Sequence, residues 1–255
     1  MTVKVNGLCI VNWVSKMNPE NQPMQAPEPV RYSVPWEPID NWIGAIMLAV
    51  IDAALLLIAL QGERGQLAQS GLLVIVQLAY LLPVIIIFAW RRINWKSLGF
   101  GKFDWSVLGI GCGLLIGSYV IILLHNLILM TLGIETQGDE IAKLFSSLES
   151  PAWFFFVGAV LAPLVEEMFF RGFLFQGFRA KYGWVNAMLM SSGIFAIAHL
   201  DLVSLIPTFI LGNVLAYLYQ RSNSVLPGMI LHVLVNSFGL CSAYVLTQYP
   251  NLIPV

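Results

Sequence analysis

Glu166, Glu167 and Arg171, Phe195 and His199, and His232 and Asn236 sit inside apolar stretches of the sequence. Ionisable and amide groups are costly in a hydrocarbon interior and are functional candidates there. Within each of the pairs Glu167–Arg171, Phe195–His199 and His232–Asn236 the spacing is four residues. That spacing stacks each pair on one helical face, a turn apart. A carboxylate and an imidazole converging on one water can polarise it and take its proton, which is general-base catalysis. A second imidazole and a carboxamide can donate hydrogen bonds to the oxyanion formed at an attacked carbonyl. Peptide hydrolysis needs these two parts. The same carboxylate and imidazoles, on Glu166, His199 and His232, could instead hold a divalent metal such as zinc that lowers the pKa of water. No HExxH motif is present, since the histidines are His125, His199 and His232, so a helix-borne zincin site is excluded.

Other polar residues invite simpler readings. Glu167 and Arg171 suit a structural ion pair, and His125 is expected to cap a neighbouring carbonyl. Asp52 and Asp201 are read as helix-end or packing residues. Cys9, Cys112 and Cys241 are far apart and have no metal or redox spacing.

These residues must be positioned by membrane helices. Of the 255 residues, 58% are hydrophobic and 11% charged, and the mean hydropathy is +0.78. A soluble domain usually has about 25% charged residues. The apolar residues form long runs rather than short alternating strands, which favours a helical bundle over a barrel. The expected fold is all-α, a polytopic bundle of about seven spans, at 42–60, 71–90, 105–132, 151–178, 184–200, 202–219 and 225–247. Asp201 divides the fifth run from the sixth, as a tight hairpin or a broken helix. The organisation read from this is a tail at 1–41, membrane helices at 42–147 and a catalytic membrane portion at 148–250. The tail holds six prolines, which keep much of it out of regular helix. It has no long apolar core, so no cleavable signal peptide is expected. A net charge of −1 gives no support for nucleic acid as a partner.

Basic residues in short loops set orientation. Arg91, Arg92, Lys96 and Lys102 follow the second run, Arg179 and Lys181 the fourth, and Arg221 the sixth. The loop at 133–150 carries Glu135, Asp139, Glu140 and Glu149 against Lys143. Seven spans with a cytoplasmic N-terminus, in a plasma or inner membrane, satisfy all of these biases. At about 1.5 Å per residue from the basic side, Glu166, His199, His232 and Asn236 lie roughly 18, 22, 10 and 16 Å deep. They can therefore share one layer of the bilayer.

The local patterns resemble a known family. Glu166-Glu167-Met168-Phe169-Phe170-Arg171 is similar to the EExxxR motif of the CAAX prenyl protease 2 and bacteriocin-processing family (CPBP, or Abi). Phe195 to His199 is similar to its FxxxH motif, and His232 to Asn236 to its HxxxN motif. Each motif alone is common, but three in order on hydrophobic helices are specific. The resemblance spans about 150–245 and implies an intramembrane endopeptidase, glutamate-dependent or metal-assisted. By position, Glu166 and His199 would activate water, and His232 and Asn236 would form the oxyanion site. Glu167 and Arg171 would brace the site, and Phe195 would pack its wall and orient His199. The implied substrate is a membrane-associated protein or peptide. The other readings are a transporter using the same polar relay and a non-catalytic immunity or scaffold protein. No internal repeat is visible, which weighs against repeat-built transporter folds.

Overall fold

A computed structural model describes residues 32–59, 74–147 and 151–249, and all regular structure among them is helical. Residues 1–31 of the expected 1–41 tail, and residues 60–73, lie outside the described residues. Helix α1 (Pro38–Ala59) begins on a proline, whose missing N–H costs nothing in a first turn. The residues before it, expected to belong to the tail, are anchored instead. Trp36 is buried and packs against Phe88 and Phe173. Its indole donates to Asn41 Oδ1 at 3.2 Å. Asn41 in turn donates to the carbonyls of Phe173 and Leu174, at 3.0 and 3.3 Å. Proline content marks a loss of helix but says nothing about such docking.

Helix α2 (Val74–Arg91) is broken by a turn at 80–81. Pro83 lacks the N–H that would pair with Ala79, and the amides of Tyr80 and Leu81 tighten onto Gln77 and Leu78. Helix α3 (Ser106–Thr131) starts where Asp104 accepts the Ser106 amide at 2.9 Å, a bond that holds the Asp104 carboxyl below its usual range. Most of α3 is exposed and apolar, with Ile116 at 70% exposure, as a lipid-facing helix should be. Helix α4 (Gln137–Ser147) occupies part of the stretch expected to be a loop. Its Phe145 packs among Phe154, Phe155 and Tyr244. Eleven residues carrying several charges raise no membrane signal, yet one apolar stripe docks them.

Helix α5 (Pro151–Tyr182) is 32 residues long. Gly183, at φ +80°, makes the turn into α6 (Trp184–Ala198). Asp201 then accepts the amides of Val203 and Ser204, at 2.9 and 3.1 Å, ahead of α7 (Leu205–Ser222). The junction is thus a hairpin, and Asp201 has the helix-end role expected of it. Helix α8 is Leu226–Gln248. Five of these helices, α1, α2, α3, α5 and α8, are long and apolar enough to cross a membrane, whereas α6 is shorter.

The loops rich in basic residues gather at one end of the bundle. There Val225 donates to Gly99 at 2.9 Å, Arg179 to Asn223 at 2.9 Å and Arg91 to Asp40 at 3.0 Å. The α6–α7 turn lies toward the other end, where His125 Nε2 meets the Val203 carbonyl at 2.9 Å. His125 is therefore the carbonyl-binding residue that its isolation suggested. Gly212 of α7 packs against Ser192 of α6, the close approach that small residues allow between membrane helices.

Candidate active site

Helix α5 carries two stretches of π turns, at Phe156–Leu161 and Met168–Phe175. Such turns recur at functional sites. Pro163 cannot pair with the Ala159 carbonyl, and the Ala162 amide reaches back five residues to Val157. In the second stretch the Gln176 side chain donates to the Gly172 carbonyl at 2.6 Å and to Ser97 at 2.9 Å, satisfying backbone that a regular helix would pair internally. Glu166 and Glu167 lie between the two stretches, buried at mid-helix.

Arg171 is fully buried, and its partners are charge, carbonyl and ring. Nη1 donates to Glu167 Oε1 at 2.7 Å and Nη2 to the Gly212 carbonyl at 3.1 Å. The guanidinium lies 4.4 Å from the Phe195 ring centroid. The expected tie between Glu167 and Arg171 is present. Glu167 Oε1 also lies 3.2 Å from His232 Nδ1. An ionised carboxylate can only accept, so Nδ1 carries the proton. His232 Nε2 is 3.7 Å from Glu166 Oε2, beyond direct hydrogen-bond range.

His199 closes the end of α6. Its own amide bonds to Ala196, so the Phe195 carbonyl lacks the amide four residues on that a continuing helix would supply. His199 Nδ1 takes that place at 2.8 Å. Nδ1 is therefore the protonated nitrogen, and the Nε2 lone pair is left to act as a base. Leu200 follows at φ +52°, the left-handed position that ends helices. The Phe195 ring packs edge-on against both His199 and His232. Asn236 donates one amide hydrogen to the Gly158 carbonyl at 3.0 Å.

Glu166, His199, His232 and Asn236 all line one cavity of about 420 Å³, together with apolar side chains from α3, α4, α7 and α8. Glu167, Arg171 and Phe195 stand behind these four. A second cavity of about 350 Å³ reaches Glu166 and His199 from the side of α1 and α2, and Asp52, Gln77 and Tyr80 line it. Tyr80 and Gln77 escaped the sequence reading; an amide inside an apolar run was the available signal for Gln77. Among the described residues, no three His, Cys, Asp or Glu side chains are grouped to hold a metal ion.

Residues 148–238 match a family described as type II CAAX prenyl endopeptidase Rce1-like. The similarity to the Rce1-like family is confined to this segment. The Rce1-like segment contains all seven motif residues named above and excludes Asp52, Gln77 and Tyr80. The chain is 24% identical over 179 residues to "Putative membrane peptidase YdiL" of Bacillus subtilis (strain 168), covering 69% of this chain and 73% of that one. It is 30% identical over 100 residues to UPF0177 protein YxdF of Lactococcus lactis subsp. lactis (strain IL1403), covering 39% of this chain and 55% of the relative. An uncharacterized 24.3 kDa protein of Escherichia coli is 34% identical over 86 residues, 32% of this chain and 40% of the relative. No solved structure gives a significant match.

Within the Rce1-like segment, Gly228 sits one helical turn before His232. A Cβ there would stand 2.5 Å from Glu167 Oε2. Gly228→Ala is expected to displace the Glu167 carboxylate from Arg171 and His232, lowering stability by about 1–3 kcal/mol. Chemical denaturation of the purified variant checks this, and an unchanged midpoint would contradict it.

Proposed function

We propose that the chain is an intramembrane endopeptidase that hydrolyses a peptide bond of a membrane-associated protein or peptide. The observation that carries this reading is the single cavity bordered by Glu166, His199, His232 and Asn236. The Rce1-like segment supports a membrane protease of the CAAX type. The name of the Bacillus relative, a membrane peptidase, points the same way.

In this reading water binds between Glu166 and His199. The water oxygen bonds to the substrate carbonyl carbon while its proton passes to the Glu166 carboxylate or to His199 Nε2. His199 is pre-oriented for this by its bond to the Phe195 carbonyl. The negative oxygen that forms is stabilised by the second amide hydrogen of Asn236 and by His232 Nε2–H. A proton on Nε2 as well as Nδ1 makes His232 an imidazolium. Its charge and that of Arg171 then offset the two carboxylates. The C–N bond breaks as the held proton moves to the leaving amine, the second water proton follows it, and a carboxylate and an ammonium are released. Low dielectric strengthens each of these bonds.

The apolar lining of the cavity suits a substrate segment entering from the bilayer. We place the N-terminus on the cytoplasmic side, because the loops rich in basic residues share one end of the bundle. A reporter fused after Val255 is expected on the opposite side, and a cytoplasmic reporter would overturn this orientation. The hydrolytic reading is tested in liposomes with quenched-fluorescent peptides carrying an apolar membrane anchor. Cleavage that requires both Glu166 and His199 supports it, and cleavage by a folded His199→Ala protein defeats it.

A further inference from the structure

We propose that Asp52 and Tyr80, which lie outside the Rce1-like segment, are positioning residues for His199. This rests on the hydrolytic reading for its consequence in turnover, but not for its geometry. Asp52 lies at mid-helix in α1, where an unpaired carboxylate would be costly. It is 7% exposed, and it borders the cavity of about 350 Å³ beside Tyr80 from the turn in α2. The Tyr80 hydroxyl lies 3.2 Å from the Ala198 carbonyl and donates to it. Ala198 is the last residue of α6 and immediately precedes His199.

Two bonds thus fix the end of α6. The Phe195 carbonyl holds the His199 ring from within its own helix, and Tyr80 holds the adjoining peptide from a neighbouring helix. Helix C-termini expose unpaired carbonyls, and fraying there would turn His199 away from Glu166. Asp52 opens on the same 350 Å³ cavity as His199 and Glu166. When His199 Nε2 takes a proton from water, the ring becomes a cation that faces the Asp52 carboxylate across this cavity. A carboxylate that steadies a catalytic imidazole during proton transfer is a recurring arrangement. Gln77 borders both cavities, and its Oε1 is buried without a hydrogen-bond partner among the described residues. It marks where the two chambers join.

The test uses the full chain in lipid, as wild type, Asp52→Asn, Asp52→Glu and Tyr80→Phe, with thermal unfolding as a check of folding. In the peptide assay, Asp52→Asn is expected to lower kcat about tenfold or more, with KM changed less than about twofold. Asp52→Glu is expected to recover part of the loss. A second reading needs no substrate. With 15N-histidine-labelled protein in micelles, Asp52→Asn and Tyr80→Phe are each expected to move the His199 ring-nitrogen resonances. The His125 resonances should stay in place, and His199→Gln assigns the signals. Unmoved His199 resonances in both folded variants would overturn the inference, whether or not any peptide is cleaved. An unchanged kcat in Asp52→Asn, beside an inactive Glu166→Ala, would overturn the inference and leave the protease reading standing. Absence of Glu166-dependent hydrolysis together with shifted His199 resonances would keep the positioning role and remove the protease reading.

Discussion

Glu166→Ala is expected to abolish peptide cleavage while the protein remains folded. Loss of a positioned general base typically costs about 10²–10⁴-fold in rate. A fall of about 1,000-fold in kcat is therefore the expected size. Glu166 is nearly buried yet makes no direct hydrogen bond to His232, its closest ionic neighbour at 3.7 Å. It is not a structural tie of the kind that Glu167 forms, so the alanine variant should melt close to wild type. KM should change little, because in the proposed mechanism Glu166 acts on the water and not on the bulk of the substrate. Parallel activity and thermal-unfolding measurements check both halves. A folded variant that keeps most of its activity would contradict the assigned role.

Arg171→Met is expected to have the opposite profile, a large loss of stability. The guanidinium is fully buried and holds Glu167, the Gly212 carbonyl and the Phe195 face at once. Removing it leaves the Glu167 carboxylate buried with only His232 beside it. Breaking a buried pair on one side costs about 3–5 kcal/mol. The double variant Glu167→Leu/Arg171→Met removes both charges and should recover much of that cost, because a buried pair is often replaceable by well-packed apolar residues. It should not recover activity, because His232 Nδ1 loses its acceptor. Denaturant unfolding of the two single variants and the double variant checks this. Additive losses would show that the pair is not energetically coupled.

The contrast between these two glutamates explains which parts of the site were legible in the sequence. Glu166, His199, His232 and Asn236 stood out because each is polar inside an apolar run, where burial needs a reason. The spacing of four put Arg171 on Glu167 and His199 on Phe195, and both contacts occur. The FxxxH spacing acts in a way that periodicity alone does not reveal, through the Phe195 carbonyl as well as its ring. Gly228 carries no chemistry of its own, and only the packing shows that Glu167 needs its missing side chain. Tyr80 looked like one aromatic among many until the break before Pro83 turned it toward α6. Asp52 was visible, but its neighbours come from another helix and its role could not be read locally. Trp36 and Asn41 were hidden in a proline-rich stretch because Phe173, which both contact, lies more than 130 residues away in α5. Helix α4 was missed for the same reason, since a short charged segment is helical here only by docking its apolar stripe.

The most direct test of the central claim is a comparison of protein termini in the host membrane proteome. It needs three strains: one with the wild-type chain, one without it, and one carrying Glu166→Ala at equal abundance. A defined set of new termini, close to membrane-embedded segments, is expected only with the wild-type chain. Identical termini in all three strains, or new termini that persist in the Glu166→Ala strain, would contradict it.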